Sequence, residues 1–269
     1  MSNEHTMPLE ALAGWRVGSV PYLNSVPLTH GIAEQVVFAP PSQLAGMLRN
    51  GTLDAALVSI TEALLHPGYR ILDGVAVASD GPVLSVCLAS KVPLEAIEVV
   101  HCDPASLTSI NLLKVLLQEK GIQPRWQPLT DYPSAHDKEA VLLIGDAAIT
   151  FQQSRPPHRI WDLGAAWKTL TGLPFVYAVW AIRQGCDDLA LLNILSQAKA
   201  RGSQEIAVLV AEESRFDHDF RVAYLGKAIR YELGEREKAG IDLFIDKLSS
   251  VLKQPVFPPR YVAAQPLPV

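Results

Sequence analysis

Apolar and polar positions along the chain alternate between two periods. Short runs rich in branched and aromatic residues, at 16–20, 55–58, 84–89, 99–102, 140–144 and 175–182, predict strands. Between them lie helical patterns. Leu44, Met47 and Leu48 stand at i, i+3 and i+4 and predict a short helix over 42–50, with Gly51 as its stop. Leu107, Ile110, Leu113, Leu116 and Leu117 predict another over 104–120, ended by Gly121. Ser59 followed by Glu62 is a capping-box pattern, which would start a helix through Leu65 directly after a strand. Beyond Asp187 the pattern becomes helical, at 189–201, 203–213, 219–231 and 235–253. Five prolines between Pro255 and Pro268 then predict an extended tail, packed along the surface or frayed. Strands alternating with helices are the sequence form of an α/β fold.

Composition narrows the classes. With 269 residues the chain exceeds the size at which one core usually stops growing, so two lobes are expected. Apolar residues make up 49% and charged residues 19%, which supports a sizeable core and excludes disorder for most of the chain. The net charge is −5, with no basic stripe to neutralise phosphates, so no nucleic-acid partner is expected. The longest apolar stretch, 175–182, is far short of the roughly 18 residues of a membrane span. The first fourteen residues hold no Lys, no Arg and no signal-peptide core, which predicts a cytoplasmic protein that does not act on a membrane. Cys87, Cys102 and Cys186 are odd in number and widely spaced, the pattern of small buried hydrophobes and not of disulfides or a zinc site. The seven histidines are scattered, and no metal or cofactor is expected.

The chain has no H-E-x-x-H, G-x-S-x-G, Walker or G-x-G-x-x-G motif. What recurs is a polar residue just after a predicted strand or at a helix start. Tyr22-Leu23-Asn24-Ser25 follows the first strand, Ser59 follows another, Ser106, Thr108 and Ser109 open the 104–120 helix, and Gly145-Asp146 follows 140–144. In α/β folds such positions converge at the carboxyl edge of the sheet, where helix N-termini favour an anion. Each residue also has a local reading: Ser59 and Ser106 as helix caps, Asn24 as a turn residue, Asp146 as a cap of the helix after it.

An ordered series of segments resembles one family. Val17-Gly18-Ser19-Val20-Pro21-Tyr22-Leu23-Asn24-Ser25 opens it, and Gly51-Thr52-Leu53-Asp54-Ala55 and Gly81-Pro82-Val83-Leu84-Ser85 follow. Asp103-Pro104-Ala105-Ser106-Leu107-Thr108-Ser109, Ile144-Gly145-Asp146-Ala147, Asp162-Leu163-Gly164-Ala165-Ala166-Trp167, 171–180 and Tyr231-Glu232-Leu233-Gly234 continue it. Together they are similar to the chorismate dehydratases of the futalosine route to menaquinone. The resemblance implies a two-lobed fold like that of type II periplasmic binding proteins, with a ligand cleft between the lobes. One lobe would comprise 1–84 and 183–269 and the other 85–182, with the strands near 84–89 and 175–182 crossing between them. It implies a dicarboxylate substrate, chorismate, held by Tyr22, Asn24, Ser59, Ser85, Ser106, Thr108, Ser109 and Gly145, with Asn24, Ser85 and Asp146 as candidate catalytic residues. The proton acceptor is left open between Asp146 and the substrate's own enolpyruvyl carboxylate. Two further readings stand beside this one: a dihydroxynaphthoate synthase of the same route, and a non-catalytic carboxylate-binding protein.

Overall fold

A computed structural model of the protein describes residues 12, 14–103 and 107–265, so Ser106 lies outside the described residues. Its strands in chain order are β1 (Val17–Ser19), β2 (Val36–Phe38), β3 (Ala55–Ser59), β4 (Tyr69–Ser79), β5 (Val86–Ser90) and β6 (Val99–Cys102). After these come β7 (Arg125–Pro128), β8 (Ala140–Ile144), β9 (Arg159–Asp162), β10 (Phe175–Arg183) and β11 (Tyr261–Val262). The helices are α1 (Pro41–Arg49), α2 (Ile60–Leu65), α3 (Leu107–Glu119), α4 (Gly145–Gln153) and α5 (Leu163–Thr171). A helical C-terminal portion adds α6 (Leu189–Gln204), α7 (Ile206–Glu212), α8 (His218–Ala223) and α9 (Glu235–Val251). No described helix is long and apolar enough to cross a membrane.

The strands form two sheets, ordered β11-β4-β10-β3-β1-β2 and β7-β6-β8-β5-β9. β1 and β3 in the first sheet, and β6 and β8 in the second, run parallel to each other. Such strands are covered on both faces, and β8, Ala-Val-Leu-Leu-Ile, is apolar at every position. β10 is antiparallel to β3 and β4, and β5 is antiparallel to β8 and β9. These two strands enter their sheets from the other lobe. The carboxyl ends of the parallel strands face the cleft, so a chain arriving across it has to run against them. Val86 at the start of β5 is accordingly level with Ile144 at the end of β8.

This corrects one expectation. The strand at 175–182 does not belong to the second lobe or span both; it lies in the first sheet, from Phe175 against Ser79 to Ile182 against Arg70. The crossings are instead the links before β5 and before β10. One carboxylate fastens the first link to the second lobe. Asp162, at the end of β9, accepts from Val83 N at 3.1 Å and Leu84 N at 2.8 Å, and it also caps α5 by accepting from Ala165 N at 2.9 Å. The link bends through Gly81 at φ 136° and Leu84 at φ 63°. Gly164 lies so close to it that a Cβ would meet Gly81 O at 2.5 Å. The second link is held by Trp167, whose Nε1 donates to Pro174 O at 3.0 Å and whose ring packs edge-on against Phe175 and Phe244. The proline-rich tail packs as an edge strand, β11, beside β4.

Asp162→Ala removes a helix cap and leaves two backbone donors of the first link without their acceptor. A loss of about 2–4 kcal/mol in unfolding free energy is expected, read from urea unfolding followed by circular dichroism.

Candidate functional site

The carboxyl ends of β1, β3 and β8 and the N-termini of α2, α3 and α4 converge on one cavity. Tyr22, Asn24, Ser59, Ser85, Thr108, Ser109 and Gly145, singled out in sequence as a possible site, all line it. None of the described residues that line it is charged. The polar groups are hydroxyls and one amide, set among apolar side chains such as Val20, Leu57, Val77 and Ile144. In a low-dielectric cavity such donors, together with helix N-termini, are electrostatically stronger than in water. An anion is the ligand class that this arrangement favours.

Local structure explains how each group comes to face the cavity. Ser59 is the N-cap of α2 and accepts from Glu62 N at 3.3 Å, so it is cap and lining residue at once. The reciprocal half of the capping box is not made: the Glu62 carboxylate instead pairs with Arg49 at 2.6 Å and His66 at 3.1 Å. Thr108, in the first turn of α3, accepts from Thr61 N at 3.0 Å and donates to Thr61 Oγ1 at 3.1 Å. Its hydroxyl therefore clasps α3 to α2 across the cleft. Gly145 opens α4 at φ 55°, and a Cβ there would meet the Tyr22 ring at 3.2 Å. Glycine alone satisfies both the left-handed backbone and the close approach. Burial, reinforced by the carboxylates of Asp103 and Asp146, pushes the Tyr22 phenol up to about 12, so it remains a neutral O–H.

Asp146, a candidate catalytic residue from the sequence, sits beside the cavity and is engaged by the protein itself. It is absent from the cavity lining, and both of its oxygens are committed. Oδ1 accepts from Leu23 N at 3.0 Å, the first N–H of a 3-10 helix, Leu23–Leu28, whose preceding residue Tyr22 supplies no side-chain cap. Oδ2 accepts from Arg215 Nη1 at 2.9 Å. Asp146 thus caps a helix in the opposite lobe and not its own helix. Burial pushes its carboxyl up, against the opposing pull of the Leu23 N–H and the Arg215 guanidinium. Arg215 also donates to Pro21 O at 3.0 Å and to the Glu213 carboxylate at 2.6 Å, so Arg215 and Asp146 together hold the residues on either side of Tyr22.

Three further residues of the site carried no signal in the sequence. Tyr177 lines the cavity from β10 and its hydroxyl lies 3.2 Å from Ser79 Oγ. Tyr224 sits behind Ser85 and donates to its Oγ at 2.7 Å. Arg215 is the third. Tyr224 and Arg215 lie in the helical C-terminal portion, about 130 residues or more from Ser85 in the chain, so only the fold brings them to the site. Among the described residues no group of three His, Cys, Asp or Glu is placed to hold a metal ion. The three cysteines are buried and free, and burial pushes the Cys87 and Cys102 thiols up to about 12, the opposite of an activated nucleophile.

Comparison with known proteins adds a family. A family model described as menaquinone biosynthesis matches residues 15–250. A chorismate dehydratase of Thermus thermophilus is 32% identical over 252 residues, covering 84% of this chain and 92% of that protein. A chorismate dehydratase of Campylobacter jejuni is 27% identical, covering 83% and 89%. Among solved structures, a Candida albicans protein described as having the generic periplasmic binding protein fold superposes with a TM-score of 0.62. It is 14% identical and covers 89% of this chain and 91% of its own. That likeness identifies the fold.

Glu213 yields a pH prediction. Its hydrogen bonds from the Arg215 side chain, working against burial, hold its carboxyl down at about 2, from an ordinary 4.5. The folded value is lowered, so its contribution to stability is present above pH 4.5 and is lost as pH falls toward 2. Glu213→Gln should destabilise the protein at pH 7, with the difference from the unaltered chain shrinking below pH 4.5 in urea titrations.

Proposed function

The chain belongs to the menaquinone biosynthesis family, and we propose that it is a chorismate dehydratase, a hydro-lyase that converts chorismate to 3-[(1-carboxyvinyl)oxy]benzoate and water. The observation that carries this reading is the cleft itself. A cavity whose described lining offers hydroxyls and an amide, helix N-termini and no charged side chain suits a small dicarboxylate whose reaction needs oriented donors more than a strong protein base.

The reaction removes the hydrogen on C3 and the hydroxyl on C4, and the ring becomes aromatic. The C3 hydrogen is vinylogous to the ring carboxylate, so the electron pair left by its removal delocalises toward that carboxylate before the C4 hydroxyl departs. Donors placed at the ring carboxylate stabilise the charge that collects there, as an oxyanion hole does. Ser109, with the first-turn N–H groups of α3, is assigned to this carboxylate, and Ser106 is assigned with it from the sequence. Asn24 and Ser85 hold the remaining polar groups of the ring. Thr108 serves the site by keeping α3 against α2, since its hydroxyl is engaged with Thr61.

The base is assigned to the substrate. Among the described residues no Asp, Glu, His or Lys lines the cavity, and Asp146 is taken up by Leu23 N and Arg215. The enolpyruvyl carboxylate is attached through the ether oxygen at C3 itself, and when folded back over the ring it can take the C3 proton. The protein then contributes orientation, exclusion of water and charge stabilisation.

Purified protein incubated with chorismate should yield a product lighter by one water, with the ultraviolet spectrum of an aromatic enol ether. Tight binding without conversion would turn the reading toward a carboxylate-capture protein, and turnover only of a cyclised futalosine derivative would turn it toward the sister synthase. Asp146→Asn keeps an oxygen acceptor for Leu23 N but loses the charge pair with Arg215. It should retain turnover within about tenfold, the loss of one charge-assisted contact. Complete loss of turnover with chorismate affinity intact would return the base to Asp146.

A further inference from the structure

Beneath the cavity lies a hydrogen-bonded pair whose direction is fixed by chemistry. The Tyr224 hydroxyl donates to Ser85 Oγ at 2.7 Å, and both residues are fully buried. Asn24 lines the same cavity beside Ser85. Burial pushes the Tyr224 phenol well above its ordinary value, so it is a neutral O–H at any working pH. The one hydrogen of the Tyr224 hydroxyl is spent on Ser85. The hydrogen of Ser85 must then point elsewhere, and its protein acceptor, Val83 O, lies at 3.4 Å, the weak end of hydrogen-bond geometry. An oxygen of a bound ligand in the cavity is the better acceptor.

The backbone around Tyr224 supports a functional placement. Tyr224 opens a π-helical turn, Tyr224–Ala228, closed by Ile229 N to Tyr224 O at 3.0 Å. Such turns are rare and are found disproportionately at functional sites. The ring is held by stacking on Phe220, with centroids 5.4 Å apart.

We propose that Tyr224 is a positioning residue that sets the direction of the Tyr224–Ser85 hydrogen bond, so that Ser85 presents its O–H to an oxygen of the bound substrate. The inference rests on the dehydratase reading for the identity of that substrate. Its physical content is that Tyr224 acts through Ser85 and touches no substrate itself. The bond that Ser85 accepts from Tyr224 also polarises its hydroxyl, so Ser85 is a better donor than an isolated hydroxyl.

A double-mutant cycle on the full chain tests it, with kcat/KM for chorismate and the Kd for chorismate as readouts. Tyr224→Phe should lower kcat/KM about tenfold when Ser85 is present, the worth of one oriented hydrogen bond, and by less than about twofold in the Ser85→Ala background. Equal losses in the two backgrounds would mean a purely structural role and would overturn the proposal, as would no loss in either. If Tyr224→Phe does not fold, site-specific 2,3-difluorotyrosine at 224 keeps the ring and hydroxyl while strengthening the donor. It should change kcat/KM at least about twofold with Ser85 and leave it unchanged in Ser85→Ala; no change in either background would again overturn the proposal. Absence of both turnover and binding of chorismate by the unaltered protein would overturn the dehydratase reading and the proposal together, whereas turnover with an uncoupled cycle would overturn the proposal alone.

Discussion

The carboxylate of Asp162 holds the first crossing between the two sheets against the second lobe and caps the helix that leads into the other crossing. It accepts N–H groups from Val83 and Leu84 on the one side and from Ala165 on the other. Ser85 follows those two donors directly, and β10, with Tyr177, follows α5 through a turn closed by Gly172 at φ 72°. The position of both lobes at the cleft therefore depends on one side chain with three backbone partners. Trp167 reinforces it from below, joining α5, β10 and α9 through its ring and through its bond to Pro174 O.

A second constraint concerns charge. The chain carries a net charge of −5, and its buried carboxylates are matched by arginines and lysines away from the cavity. Arg16 and Arg183 pair with Asp54, while Lys168, Arg230 and Arg236 surround Asp80. The cavity is left to hydroxyls, an amide and helix termini. For a substrate whose negative charge moves during reaction this has a physical advantage. Fixed dipoles can be aimed at the place where charge develops, whereas a guanidinium bonded to the ground-state carboxylate would stabilise substrate and transition state alike. Arg215 shows the division of labour. It is the cation nearest to a candidate catalytic group, Asp146, and it serves to anchor the Tyr22 loop.

Where sequence and structure part, long-range pairing is the cause. β4 was not legible because Asp73-Gly74 reads as a turn; in the structure Gly74, at φ 76°, bulges out of an eleven-residue strand that β10 holds on either side. The helical pattern at 219–231 stops early because Arg230 is drawn into a two-way backbone pair with Ala78, and the wider turn before it is what turns Tyr224 toward Ser85. β7 and β9 are short edge strands with exposed, polar positions, which leave no alternation to read.

The sequence by itself determined the α/β class, most of the central strands, the longer helices and the cluster of polar residues at strand ends, because these depend on local periodicity and on the rule that strand carboxyl ends gather at one edge. It also carried the family, through segments spread along nearly the whole chain. The tertiary structure alone decided what each polar residue does. Asp146 accepts from the first N–H of a helix in the other lobe, Thr108 clasps Thr61, Tyr177 lines the cavity, and Tyr224 and Arg215 stand behind Ser85 and Asp146. A carboxylate or hydroxyl has the same local signature whether it faces a ligand or a backbone N–H from a distant segment, and only the three-dimensional meeting of those segments distinguishes the two.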